Sequence, residues 1–370
     1  MKYYIISGER SGDLHASNLI RAIKALDPKA TFRGMGGDYS KNEGLSLCAH
    51  YDEVAVMGFV EVLFGFRKVL KYLSLVKKDI LDARPDILIL VDYGGFNMKM
   101  AAFGKKQNIP VHYYIPPKVW AWNQKRAIKI KEFTDQVYSI LPFEPAFFER
   151  YGVNIEYVGN PLLDEIAKFE PHPFFHQKNS LSYSPIIALL PGSRKQELTN
   201  MMQVMLQVVK KFPNAQFFIA GVDNLGATLY EPAIKAGIKV IYNQTYDLLH
   251  HANAAIVTSG TATLETALFR VPQVVVYKTS GISYAIAKRL IRVPFISLVN
   301  LIADRKVVAE LIQDDYNVEN LSQELNLILS NILHKAEILD GYTEIKEKLG
   351  TGSASETAAK MICSSLAISH

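Results

Sequence analysis

The sequence predicts an α/β protein made of two doubly wound domains facing a cleft, and three observations lead there. Short β-rich runs alternate with helical patterns along most of the chain. At 370 residues the chain is longer than one hydrophobic core usually serves. A stretch rich in Pro, Ser and polar residues, 168–185, interrupts the alternation near the middle.

KYYIIS (2–7) reads as a strand and SGDLHASNLIRAIKAL (11–26) as an amphipathic helix. DILILVD (86–92) is apolar without alternation, as a strand covered on both faces of a parallel sheet should be. VHYYI (111–115) and DQVYSIL (135–141) read as further strands. The segment 168–185 then reads as the interdomain linker, dividing 1–167 from 186–349. A second series follows: IIALL (186–190), AQFFIAG (215–221), KVIYN (239–243), NAAIV (253–257) and QVVVYK (273–278). Helices are expected over 318–333, 335–349 and 353–367.

Composition narrows the class of protein. A hydrophobic share of 49% against 21% charged is an ordinary globular balance. The net charge of +5 favours an anionic ligand but is too small for a nucleic-acid partner. Cys48 and Cys363 show no metal-type spacing, so a reducing compartment and no zinc site are expected. The short apolar start runs straight into a Gly/Ser turn, unlike a signal peptide, and no uncharged stretch is long enough to span a bilayer. The histidines do not cluster, and DxD, HExxH and GxSxG are absent, so neither a metal, a cofactor nor a serine nucleophile is expected.

Two turns carry the chemical signal. LLPGSRKQEL (189–198) and TSGTATLE (258–265) each follow a strand-like run and lead into a helix-like one. Backbone N–H groups at such a helix start suit a phosphate, so the pair suggests a nucleotide diphosphate at the carboxyl ends of parallel strands. Arg194 and Glu265 stand at the mouths. For either turn alone, Ser193 and Thr261 as plain helix caps would explain the pattern. SGERSGDLH (7–15) is a weaker turn of the same sort, in which Ser11 or Asp13 caps a helix. Asp92 ends DILILVD, where a carboxylate faces a cleft and apolar neighbours raise its pKa; the alternatives are a general base and a turn aspartate.

Both tryptophans lie in YIPPKVWAWNQKRAIKIK (114–131). Pro116 and Pro117 exclude helix there, and in extended chain Trp120 and Trp122 face the same way, flanked by Lys118, Lys125 and Arg126. Aromatic plus cation suits a sugar face and a phosphate, and equally a Trp-rich core loop. In VAVMGFVEVLFGFRKVLKYLSLVKK (54–78), Glu61 is the single charge from Val54 to Phe66. Phe59, Val60, Leu63, Phe64 and Phe66 are followed by Arg67, Lys68 and Lys71. An interfacial segment seeking anionic lipid needs that order; a buried helix would begin alike.

Together these segments resemble the lipid-A-disaccharide synthases, bacterial inverting glycosyltransferases. The matching residues are SGERSGDLH, AVMGFVEVL (55–63), VDYGGFN (91–97), PPKVWAWNQKR (116–126), LPFEPAFFERYGV (141–153), YVGNPL (157–162), LLPGSRKQE, TSGTATLETAL (258–268) and SLVNLIADR (297–305). They run in family order through essentially the whole chain. The resemblance implies the GT-B arrangement of two Rossmann-like domains facing a cleft, with the C-terminal helix (350–370) returning to an acceptor- and membrane-facing first domain. It implies a UDP-2,3-diacylglucosamine donor, a 2,3-diacylglucosamine 1-phosphate acceptor and no metal, with work done at the cytoplasmic face of the inner membrane. A homodimer is left open.

Residue by residue, the resemblance makes Asp92 the base. Gly192, Ser193 and Arg194 become the diphosphate turn, and Ser259, Gly260, Thr261 and Thr263 the second nucleotide turn. Glu265 becomes the nucleotide-sugar carboxylate, Asn300 a substrate contact, and Ser11 and Gly12 the donor-side turn. Three departures from the family pattern stand out: Gly95 replaces a second aspartate, Pro117 and Lys118 replace smaller polar residues, and Asn160 replaces a histidine. Rival readings are another GT-B enzyme of UDP-GlcNAc, which the apolar 54–66 segment disfavours for a soluble epimerase, and a non-catalytic nucleotide-sugar-binding protein, for which Asp92 and Arg194 would not be needed.

Overall fold

The computed structural model describes residues 1–54, 61–291 and 293–367. It comprises two compact units, Met1–Asp164 with Leu349–His370 and Glu165–Lys348.

The first unit holds strands β1 (Lys2–Ser7), β2 (Thr31–Gly36), β3 (Leu45–His50), β4 (Ile87–Val91), β5 (Val111–Tyr114), β6 (Gln136–Ser139) and β7 (Glu156–Tyr157). They form one sheet in the order β3-β2-β1-β4-β5-β6-β7, with every neighbouring pair parallel. The chain builds outward from β1 in one direction, then returns to β1's other side with β4. The order therefore reverses between β1 and β4, where open α/β sheets leave a crevice at their carboxyl ends.

The helix Arg10–Leu26 buries Ala16, Leu19, Ile20 and Ile23, the spacing of one helix face, in a core with Ile5, Ile89 and Val91. The helix Ala354–Ala367 packs against it and adds Ala354, Ala358, Ile362 and Leu366 to the same core. Each large apolar side chain so buried contributes about 1.5–3 kcal/mol. The C-terminal helix is thus integral to the first unit.

β2 and β3 carry no long apolar run, and sequence periodicity does not announce them. TFRGMG has glycine where the sheet demands it. A Cβ on Gly34 would lie 1.9 Å from the carbonyl oxygen of Ile5 on the neighbouring strand, and its φ is +151°.

The second unit repeats the plan with β8 (Ile186–Leu190), β9 (Gln216–Gly221), β10 (Lys239–Tyr242), β11 (Ala254–Thr258), β12 (Gln273–Tyr277) and β13 (Ala309–Ile312). The order is β10-β9-β8-β11-β12-β13, again all parallel, with its reversal between β8 and β11. The segment 168–185, expected as a linker, lies inside this unit. Phe175 and Leu181 are buried in its core, His172 N donates to Asp247 at 2.6 Å and Ser182 N to Gln216 at 2.9 Å. Its polar residues strap the sheet instead of bridging domains.

Among the described residues no helix is long and apolar enough to cross a membrane.

Candidate active site

In the first unit the reversal point is built from the ends of β1 and β4. Asp92 directly follows β4, and both it and Tyr93 are left-handed, with φ of +48° and +52°. Side chains adopt that region at a cost of roughly 1–2 kcal/mol each, so the surroundings must enforce it. They do so through the Asp92 carbonyl, which accepts from Asn97 Nδ2 and from Tyr113 Oη, both at 2.7 Å. The Asp92 side chain itself is half-buried. Burial pushes its pKa above the ordinary carboxylate range, while the Lys118 ammonium and the Tyr93 N–H favour the charged form.

Gly12 packs beside it: a Cβ there would stand 3.7 Å from the Cβ atoms of both Asp92 and Ser7. Gly12, in the first turn of the helix Arg10–Leu26, lets that helix start close to the end of β4. Ser11 is exposed next to it. Asp13 does not cap this helix. It is fully buried and accepts from Gly37 N at 2.7 Å and Tyr39 N at 3.0 Å, closing the turn after β2.

The tryptophans overturn the expected extended geometry. Val119–Trp122 is one helical turn beginning just after the Pro pair, so positions two apart diverge. Trp120 is 5% exposed with its indole N–H on Glu144, while Trp122 is 47% exposed with Arg126 stacked 5.6 Å from its ring centre. Trp120 is therefore a structural anchor, and of the two tryptophans Trp122 is the exposed one, with Arg126 against its ring.

In the second unit the reversal point lies between the turns after β8 and β11. Ser193 and Arg194 are exposed on the first, ahead of the helix Lys195–Val209. Their N–H groups both point at the Glu197 carboxylate, 3.2 and 3.3 Å away, and Gly192, at φ +107°, passes close against that side chain. An anion thus already sits at this helix start, supplied by the protein itself.

On the second turn Gly260 and Thr261 are exposed at the start of Thr261–Leu268. Ser259 Oγ donates to Ile296 O and Thr263 Oγ1 to Gly260 O, both at 2.8 Å, so these two hydroxyls brace the loop. Glu265 is half-buried, and burial raises its pKa. Tyr246 Oη donates to it at 3.2 Å from a cluster with Phe169 and Phe269.

Asn300 corrects an expectation. It is fully buried, its Oδ1 accepts from Val307 N and Val308 N at 2.8 and 3.0 Å, and its Nδ2 donates to Val308 O and Glu310. With every amide group spent, it shapes the 297–308 turn and has nothing left for a substrate.

Sequence reasoning missed Asn97, Tyr246 and Glu144. Only Glu144 left a signal, a lone carboxylate among phenylalanines in LPFEPAFF.

Of the residues expected to face lipid, Phe59 and Val60 lie outside the described residues, as do the side chains of Leu63, Phe64 and Phe66. Arg67, Lys68 and Lys71 are exposed on the helix Glu61–Ala83, with Leu70, Leu75 and Leu81, while Leu73, Val76 and Ile80 face the core. No group of three or more His, Cys, Asp or Glu with metal-binding geometry occurs among the described residues.

Two parallel Rossmann-like units of matching strand order make this a GT-B fold, and solved structures agree. The UDP-GlcNAc 2-epimerase of Methanocaldococcus jannaschii, in complex with UDP-GlcNAc and UDP, aligns over 98% of this chain and 99% of its own, at TM-score 0.66 and 15% identity. MurG of Acinetobacter baumannii aligns over 98% and 99%, at TM-score 0.62 and 12% identity. Identities so low speak for the fold alone. Sequence goes further. The family model for lipid-A-disaccharide synthetase matches residues 3–362, and the lipid-A-disaccharide synthase of Syntrophus aciditrophicus is 38% identical over 96% of this chain and 96% of its own. The chain belongs to the lipid-A-disaccharide synthase family.

Proposed function

We propose that this chain performs its family's reaction with Asp92 as proton acceptor, the turns after β8 and β11 on the nucleotide, and the helix Glu61–Ala83 on the lipid surface. It is a glycosyltransferase of lipid A biosynthesis. It joins UDP-2,3-diacylglucosamine to 2,3-diacylglucosamine 1-phosphate, yielding the β-1,6-linked disaccharide 1-phosphate and UDP.

The acceptor's 6-hydroxyl attacks the donor's anomeric carbon as its proton passes to the Asp92 carboxylate. A carboxyl raised by burial is the stronger proton acceptor once ionised. Negative charge grows on the departing UDP. Arg194, exposed at its helix start, and the N–H groups around Gly260 and Thr261 are the donors that stabilise it. Glu265, steadied by Tyr246, accepts from hydroxyls of the nucleotide sugar. Gly12, in the first turn of the helix Arg10–Leu26, lies beside Asp92, with the exposed Ser11 next to it in sequence, and Trp122 offers a sugar-stacking face.

Both substrates carry acyl chains, so the enzyme meets them at a membrane. Exposed Arg67, Lys68 and Lys71 suit the anionic headgroups of the inner membrane's cytoplasmic face, and the apolar run 54–66 directly precedes them in the sequence.

The observation that carries this reading is Asp92's place at the reversal point of the first sheet, clamped by its own backbone. The test is incubation with both acylated sugars and mass spectrometry of the product. One disaccharide 1-phosphate per UDP released is expected. UDP release without acceptor, or a donor epimerised in its sugar, would contradict it.

A further inference from the structure

The connection from β12 to β13 is tied down at both ends. On leaving β12, Lys278 O accepts from Asn200 Nδ2 at 3.2 Å and Thr279 N donates to Gln313 Oε1 at 3.1 Å. Ahead of the helix Leu298–Ala303, Ile296 N and Ser297 N donate to the Glu310 carboxylate at 2.9 and 3.0 Å. Ile296 O accepts from Ser259 Oγ, on the turn after β11, at 2.8 Å. Between these ties runs the helix Gly281–Leu290. It follows the carboxyl end of β12, and in this parallel sheet that is the end that carries the turns after β8 and β11.

A surface helix ordinarily keeps its large aliphatic side chains in the stripe it buries. The end of this one does not. Lys288, Arg289, Leu290 and Ile291 are all exposed, Leu290 to 47% and Ile291 to 41%. Cations in a last helical turn suit the helix dipole, but the dipole gives no reason for two neighbouring aliphatic side chains to stand in water. The surrounding sequence is also one-sided in charge. Between Glu265 and Asp304 it has five Lys or Arg and no Asp or Glu.

We propose that residues 288–291 are a lipid contact belonging to the second unit, made for an anionic bilayer surface and separate from the helix Glu61–Ala83. The inference rests on the substrates being acylated, and so on the enzyme working at a membrane. Lys288 and Arg289 meet lipid phosphates while Leu290 and Ile291 enter the acyl boundary, the combination that interfacial segments need. A nucleic-acid backbone would match the cations and leave the aliphatic pair in water. Through Ile296 and Ser259 the contact is joined by a few residues of chain to the turn after β11.

The test is sedimentation of the full-length protein with phosphatidylglycerol vesicles at low and high salt. Lys288→Glu/Arg289→Glu should lower vesicle affinity about tenfold or more at low salt. Most of that difference should vanish at high salt, where screening removes the charge contribution from wild type as well. Leu290→Ser/Ile291→Ser should lower affinity at both salt concentrations, because the apolar contribution is not screened. A general loss of folding would not give the two variants different salt responses. Melting temperature and UDP affinity should stay at wild-type values in both, since the four side chains are exposed. Unchanged vesicle affinity in either variant overturns the proposal. So does kept vesicle affinity with an altered oligomeric state by light scattering, which would make the segment an interface between copies. Kept vesicle affinity with weaker UDP binding overturns it too, by assigning the segment to the nucleotide. Wild type that ignores the vesicles sinks the membrane reading itself; wild type that binds them, with variants that bind equally well, sinks only this contact.

Discussion

Asn97 donates to the Asp92 carbonyl at 2.7 Å, and the same amide nitrogen lies 3.3 Å from Ile6 O and 3.2 Å from Val91 O. One buried side chain thus ties the ends of β1 and β4 to the residue between sheet and helix. Asn97→Leu should leave these carbonyls short of a donor at roughly 1–3 kcal/mol per buried group. A melting temperature lower by several degrees is expected, with turnover falling at least about tenfold because Asp92 loses its left-handed hold. UDP affinity, measured by calorimetry, should not change. Full turnover in the folded variant would show that the clamp is irrelevant to catalysis.

Arg194 has a side chain 76% exposed and pairs with Glu197 at 3.4 Å. Such a pair adds at most about 1 kcal/mol to stability, so Arg194→Ala should melt like wild type. Its contact with a diphosphate is charge-assisted, worth roughly 1.5–3 kcal/mol. UDP should bind about 10–100-fold more weakly in a titration. Unaltered binding would remove Arg194 from the nucleotide site.

The lipid surface can be tested on exposed residues alone. Arg67, Lys68 and Lys71 are solvent-facing, so replacing all three with Glu should leave the fold intact. Each basic side chain near an anionic bilayer contributes about 1 kcal/mol, so vesicle affinity should fall at least about a hundredfold. Liposome sedimentation reads this directly. A variant that still sediments with anionic liposomes would place the docking surface elsewhere.

His112 predicts an acid-side weakness. It is 3% exposed on β5, hydrogen-bonded to Tyr138 Oη at 3.0 Å, and burial lowers its pKa from 6.5 to about 4. Between those values the unfolded chain binds a proton that the folded one refuses. Stability is therefore complete above about pH 6.5 and declines as pH falls toward 4, by on the order of 3 kcal/mol. Urea unfolding over this range should show the slope in wild type and a flatter one in His112→Asn. Equal slopes would refute the assignment.

How far the sequence could be read depended on what held each element. DILILVD and IIALL were legible because strands covered on both faces are unbroken apolar runs, and the turns after them follow from their ends. TFRGMG was not, because close approach to Ile5 demands glycine at position 34, which dilutes the pattern. The Pro pair correctly barred helix at 116–117, but the helical turn starts only at Val119, which sends Trp120 inward and Trp122 outward. Asn300 could not be judged from its motif. Whether an amide is free depends on Val307, Val308 and Glu310, and folding alone brings those groups to it.

The claim at the centre of this account is that the carboxylate at the end of β4 takes the acceptor's proton. Asp92→Asn tests it most directly, since the amide keeps the size of the side chain and the backbone clamp while removing the base. Disaccharide formation should fall about 10²–10⁴-fold with UDP affinity and melting temperature held. Disaccharide formed at near the wild-type rate by the folded variant would contradict it.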